Sequence, residues 1–303
     1  MCKTYIVNGE NKRFEYSDWE KKYTDFLKQF YKKKDCKQVY NDPDGVEHTE
    51  FYKDLAEFLN IREKQMKEKM KGNWSYEFDI DKKSKGIKVK EKNVEIFTIF
   101  SDQFGFSAPR KGKEKKHPYD VYAEINNYDE SYLKNISKYV YYTRTLGGSF
   151  LWPCDGGKKY NGERGGNQTS NSERYYIEDR VDLTLLEIKN YYDREIENRI
   201  LNYCLTDDMK KWFDHFKDFK TYIDFFLFQS FVDEENIPIP LVENEKNTDL
   251  SNGRKWKKII ENRMEDIEKN PQQYSKELEK TFEALTDRIK ERTKKMEKVL
   301  HES

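Results

Sequence analysis

The chain has 303 residues, enough for one sizeable core, and its 57 Lys+Arg balance 57 Asp+Glu to a formal net charge of zero. That balance argues against a chain-wide nucleic-acid coat and leaves only a local basic patch for such a role. Charged residues make up 38% of the chain, yet 22 Tyr and 19 Phe supply an apolar core, which excludes wholesale disorder.

The first residues, MCKTYIVNGENKRFEY, contain no apolar leader, and no stretch approaches the ~18 apolar residues that span a bilayer. Cys2, Cys36, Cys154 and Cys204 have neither metal-type spacing nor the pattern of a disulfide framework. A reduced, cytoplasmic setting without a membrane is the expectation. Residues 4–16 alternate around Asn8-Gly9 and read as a hairpin. Ser17-Asp18-Trp19-Glu20 has capping-box spacing, and Trp19, Tyr23, Phe26, Leu27 and Phe30 follow at helical intervals. Asn41-Asp42-Pro43-Asp44-Gly45 is a turn. A second helix is predicted over 50–69, burying Phe51, Leu55, Phe58 and Leu59.

The middle of the chain changes character. Residues 75–80, 94–100, 119–125 and 138–145 are β-branched or aromatic and often alternate, so they read as strands. Residues 149–152 read as one more, stopped by Pro153. The basic loop 110–117 reads as a solvated connection, with nucleic-acid contact as its rarer alternative. Seven of the fourteen glycines then fall within residues 147–166. From Asp182 the pattern is helical, with Leu185, Ile188, Tyr192, Ile196, Ile200 and Cys204 on one stripe. Residues 207–232 continue with so many aromatics that they must be buried, and Ile237-Pro238-Ile239-Pro240 closes the segment. After about 245 the chain is more charged and reads as an addition. Trp256, Ile259, Ile260 and Ile267 form one stripe, Asn270-Pro271 starts a second helix, and Tyr274, Leu278, Phe282, Leu285, Ile289 and Met296 form the next.

The expected fold class is α+β, a mixed or antiparallel central sheet covered by aromatic-rich helices, with a C-terminal helical hairpin. The expected organisation is one domain over residues 1–245, followed by a helical arm over 250–303. Within the domain, residues 1–72 are read as helical and residues 73–240 as the sheet and glycine-loop core. The arm packs either on its own domain or on a partner, a second copy included.

Familiar catalytic signatures are absent. There is no phosphate-binding Gly-x-x-x-x-Gly-Lys-Ser/Thr, no dinucleotide fingerprint and no Gly-x-Ser-x-Gly elbow. His48, His117, His215 and His301 are scattered without zinc spacing, and His215 reads as a core or surface residue rather than a catalyst. No metal is expected and no cofactor is assigned. Chemistry instead concentrates around the glycine-rich stretch. Arg144, expected at a strand end, has the fork that holds a phosphate or carboxylate. Gly147, Gly148 and Gly165 offer backbone amides, and Asn161 and Arg164 stand between glycines, a composition suited to an anion-binding concavity. Glu163 suits a general base. Asp179, Arg180 and Asp182 precede or open a helix, where Asp182 suits a cap and Asp179 an acidic catalytic role. The bland alternatives are a structural ion pair for Asp179 and Arg180 and a plain connector for the glycines.

Thr145-Leu146-Gly147-Gly148, Asn161, Arg164-Gly165, then Asp179-Arg180-Val181-Asp182-Leu183-Thr184-Leu185 with Glu187-Ile188 and Tyr191-Tyr192, resembles an uncharacterised bacterial family of unknown function. The run from Trp212 to Phe226 is similar to that family's next block, so the resemblance covers about 140–232. It implies a shared fold and site but no reaction. Two functions follow as expectations. One is a nucleotide- or RNA-directed effector of a bacterial toxin or phage-defence type, working by ADP-ribosyl transfer or metal-independent RNA cleavage with Arg144, Glu163 and Asp179 as catalytic residues. The other is a non-enzymatic binding or assembly protein that contacts a protein partner through 250–303.

Overall fold

A computed structural model describes residues 16–33, 49–72, 75–81, 86–103, 118–154, 181–193, 207–241 and 269–302. The predicted hairpin 4–16 falls almost wholly outside them; the turn at 41–45, the basic loop 110–117 and the stripe from Trp256 to Ile267 lie entirely outside.

Helix α1 (Tyr16–Lys33) begins one residue before the predicted cap. Glu20, expected to reach back to a backbone amide, accepts instead from Tyr16 Oη at 2.9 Å. Helix α2 (Thr49–Met66) buries Phe51, Leu55, Phe58 and Leu59 as predicted. Next come β1 (Tyr76–Asp81), β2 (Gly86–Glu91) and β3 (Val94–Gln103). With β4 (Ser149–Cys154) they make one antiparallel sheet in the order β1-β2-β3-β4. Strand β2 is not among the predicted strands, although Ile87 and Val89 alternate with Lys88 and Lys90. Its turn to β3 is the two-residue Lys92-Asn93, with φ of 51° and 64°, the left-handed pair that a tight hairpin needs. Pro153 does not end β4. It pairs with Ile99, which an edge strand permits, and among the described residues no strand pairs with the far side of β4.

Two predicted strands are helices. Residues 119–125 lie in α3 (Pro118–Ile125), and 138–145 fall mostly in the second half of α4 (Glu130–Thr143). For the second of these the physical reason is burial on every side. All residues from 139 to 151 are buried, so the sequence there is apolar at most positions and carries neither period. The helical signal sits upstream, where Leu133 and Ile136 are buried and Asp129 caps the helix by accepting the Ser131 amide at 2.9 Å. Trp19 of α1 donates its indole N–H to Ser137 O of α4 at 3.0 Å, joining the two helices.

The remaining helices are α5 (Val181–Asp193), α6 (Asp207–Asp214), α7 (Phe219–Phe226) and α8 (Pro271–His301). The apolar run 207–232 is therefore broken. Asp218 accepts from the Thr221 amide at 2.7 Å and restarts the chain as α7, and Leu227 ends α7 at φ 58°. Between the sheet and these helices lies an aromatic core centred on Trp212. Its ring meets Phe78, Phe97, Phe216 and Phe226 at centroid distances of 5.4–6.2 Å. Burying each such side chain contributes about 2–3 kcal/mol.

The outer edge of β1 is covered by α2. Asn60 donates to Phe78 O at 2.8 Å and accepts from Phe78 N at 3.0 Å, and Glu63 accepts from Tyr76 N at 3.2 Å. Side chains thus take the place of a fifth strand and block edge pairing. Helix α8 begins at the predicted Asn270-Pro271 and packs against α2, α3, α4 and the turn 146–148. Of the two helices expected in the C-terminal hairpin, the described one lies on its own domain.

Candidate functional site

Arg144 does not end a strand. It is the C-terminal cap of α4, its amide donating to Tyr141 O at 3.2 Å. Its side chain is 5% exposed and points back along the helix, with Nη1 3.4 Å from both Val140 O and Thr143 Oγ1. The chain then makes one 3-10 turn, Leu146–Gly148, and enters β4.

That turn is held by α8. The Gly147 amide donates to Thr293 Oγ1 at 3.1 Å, and Thr293 Oγ1 lies 2.7 Å from Thr145 Oγ1. The Gly148 amide donates to Thr145 O at 3.0 Å. Arg292, 1% exposed, sends Nη1 to Gly147 O at 2.8 Å and Ser149 O at 2.7 Å, and Nε to Phe226 O at 2.9 Å. Its guanidinium also covers the Phe228 ring at 3.9 Å. Burial pushes the pKa of this guanidinium down to about 9. The two glycines are needed for approach. A Cβ on Gly147 meets Thr293 N at 2.4 Å and Ile289 O at 2.6 Å, and one on Gly148 meets Tyr142 O and Thr143 O at 2.5 Å. Their amides face the protein, so the expected anion concavity is not formed at 147–148.

Asp182 lies inside the first turn of α5 rather than at the predicted cap position ahead of it. It is 4% exposed and accepts from the Leu241 amide at 2.9 Å. Arg288 of α8 holds the same segment, donating to Ile239 O at 3.2 Å. Burial lowers the Arg288 pKa, and the Asp182 charge partly offsets that. The predicted Asn161, Glu163, Arg164, Gly165, Asp179 and Arg180 lie outside the described residues. The structure therefore brings Arg144, Gly147 and Gly148 together in a closed turn and places Asp182 in a separate backbone contact.

Asp81, Arg292, Glu63 and Glu187 are buried ionisable groups that were not singled out from sequence, and the last three lie on helices. Glu63 is paired with His215: Glu63 Oε2 is 2.8 Å from His215 Nε2, and the imidazole stacks on Tyr76 with centroids 4.1 Å apart. Of the core and surface placements left open for His215, the structure has the core. Glu187 of α5 is 4% exposed, and burial raises its pKa to about 7. A shared signal was available for the three helical groups, because each sits among buried apolar positions of its helix: Glu63 between Leu59 and Met66, Glu187 between Leu185 and Ile188, and Arg292 between Ile289 and Met296. An ionisable residue in such a setting must be partnered or functional. Among the described residues, no group of three His, Cys, Asp or Glu is placed to hold a metal ion. Among them too, no helix is long and apolar enough to cross a membrane.

Residues 25–296 match a family described as a family of unknown function, DUF6994. The chain belongs to that family. The match extends the resemblance of 140–232 in both directions and takes in most of α8, so the tail after 245 is not an addition to the family's domain. That extent agrees with Arg292 and Thr293 closing the Thr-x-Gly-Gly turn. No curated protein and no solved structure matches the chain.

Proposed function

We propose that this DUF6994 chain is an enzyme acting on a nucleotide or nucleic acid, with residues 155–180 holding the ligand and Glu187 moving a proton. The observation that carries this reading is Glu187: a carboxyl group inside the protein, its pKa raised to about 7, on the helix that directly follows that segment. A glutamate there destabilises the fold at neutral pH, and a group titrating near 7 is suited to general acid–base work. Arg164 and Arg180 supply charge for phosphate, and Asp179 and Glu163 supply further carboxylates. The segment leaves one fixed element, β4, and enters another, α5, an arrangement in which binding residues are carried on a rigid frame.

The two concrete reactions are ADP-ribosyl transfer from NAD and metal-independent RNA cleavage. A cytoplasmic effector of the toxin or phage-defence type is the setting we propose with them, from composition alone. The alternative assembly role for 250–303 is less favoured, because α8 directs its apolar stripe into its own core. Incubation with labelled NAD plus protein acceptors, and separately with labelled RNA, tests the proposal. Product from wild type that is lost in Arg164→Ala and Asp179→Ala, both folded, supports it. Absence of product from both substrates across several acceptors overturns it.

A further inference from the structure

We draw no further inference here: the strongest candidate, the buried Glu63–His215–Tyr76 cluster where α2, β1 and the end of α6 meet, is sealed in the core at 2%, 0% and 2% exposure, and its hydrogen bonds already account for it as the brace of that junction.

Discussion

Replacing Gly147 with alanine tests the turn against α8 directly. The new methyl group starts 2.4 Å from both Thr293 N and Thr293 Oγ1 and 2.6 Å from Ile289 O. Ordinary contact needs about 1 Å more, so either the turn or the helix must retreat. Retreat is opposed by the Arg292 bonds to Gly147 O and Ser149 O at 2.8 and 2.7 Å, and by the Thr293 bond to the Gly147 amide. Overpacking a closed site costs about 1–3 kcal/mol, and weakening a hydrogen bond to a charged group about 1.5–3 kcal/mol more. The expected loss is about 3–5 kcal/mol, at the severe end for one substitution. Urea unfolding followed by circular dichroism measures it, with the midpoint falling at an unchanged slope. A loss under about 1 kcal/mol would refute the close-approach reasoning. A glycine kept for a ligand would behave otherwise: stability without ligand would hold and binding alone would fall.

Three other variants test separate parts of the structure. Glu187→Gln should match wild type near pH 4.5 and become progressively more stable than it as pH rises to about 7, with the gap constant above that. The native carboxyl prefers its proton, so wild type loses stability from the ordinary 4.5 up to about 7, a difference of about 3 kcal/mol at 1.36 kcal/mol per pH unit. Denaturation of both proteins across that range checks the sign, and parallel curves contradict it. Arg292→Lys should fail to rescue the turn, costing about 3 kcal/mol or more in chemical denaturation, because an ammonium cannot reproduce the fork that reaches Phe226 O, Gly147 O and Ser149 O together. In the β2–β3 hairpin, Lys92→Asn with Asn93→Gly should raise the thermal midpoint, gaining about 0.5–1 kcal/mol by suiting the residues to φ of 51° and 64°.

Sequence periodicity was a good guide where one face of an element meets solvent. Helices α1, α2 and α8 show stripes, and β1 and β3 sit where alternation placed them. It failed where burial is complete. Residues 139–151 have no solvent face, so the second half of α4 looked like a strand. The broken helix at 215–218 was hidden by its flanks, since His215 and Phe216 are fully buried and aromatics continue on both sides of the exposed Lys217 and Asp218. At the candidate site, Gly147 and Gly148 were read as amides offered to an anion or as a plain connector, whereas the structure packs them against α8. The contact there is Thr293, 146 residues away from Gly147, and no local pattern points to it. Glu187 was visible within the family-like signature, yet its significance needs the burial that only the fold supplies.

Proton transfer by Glu187 is tested most directly by single-turnover assays of wild type and Glu187→Gln on labelled NAD and on labelled RNA, at pH 7 and matched folded concentration. The account predicts product from wild type and a loss of about 10²–10⁴-fold in the variant, the usual contribution of a positioned acid or base. A variant that turns over substrate as fast as wild type while gaining the expected stability would make Glu187 a structural residue and contradict the account.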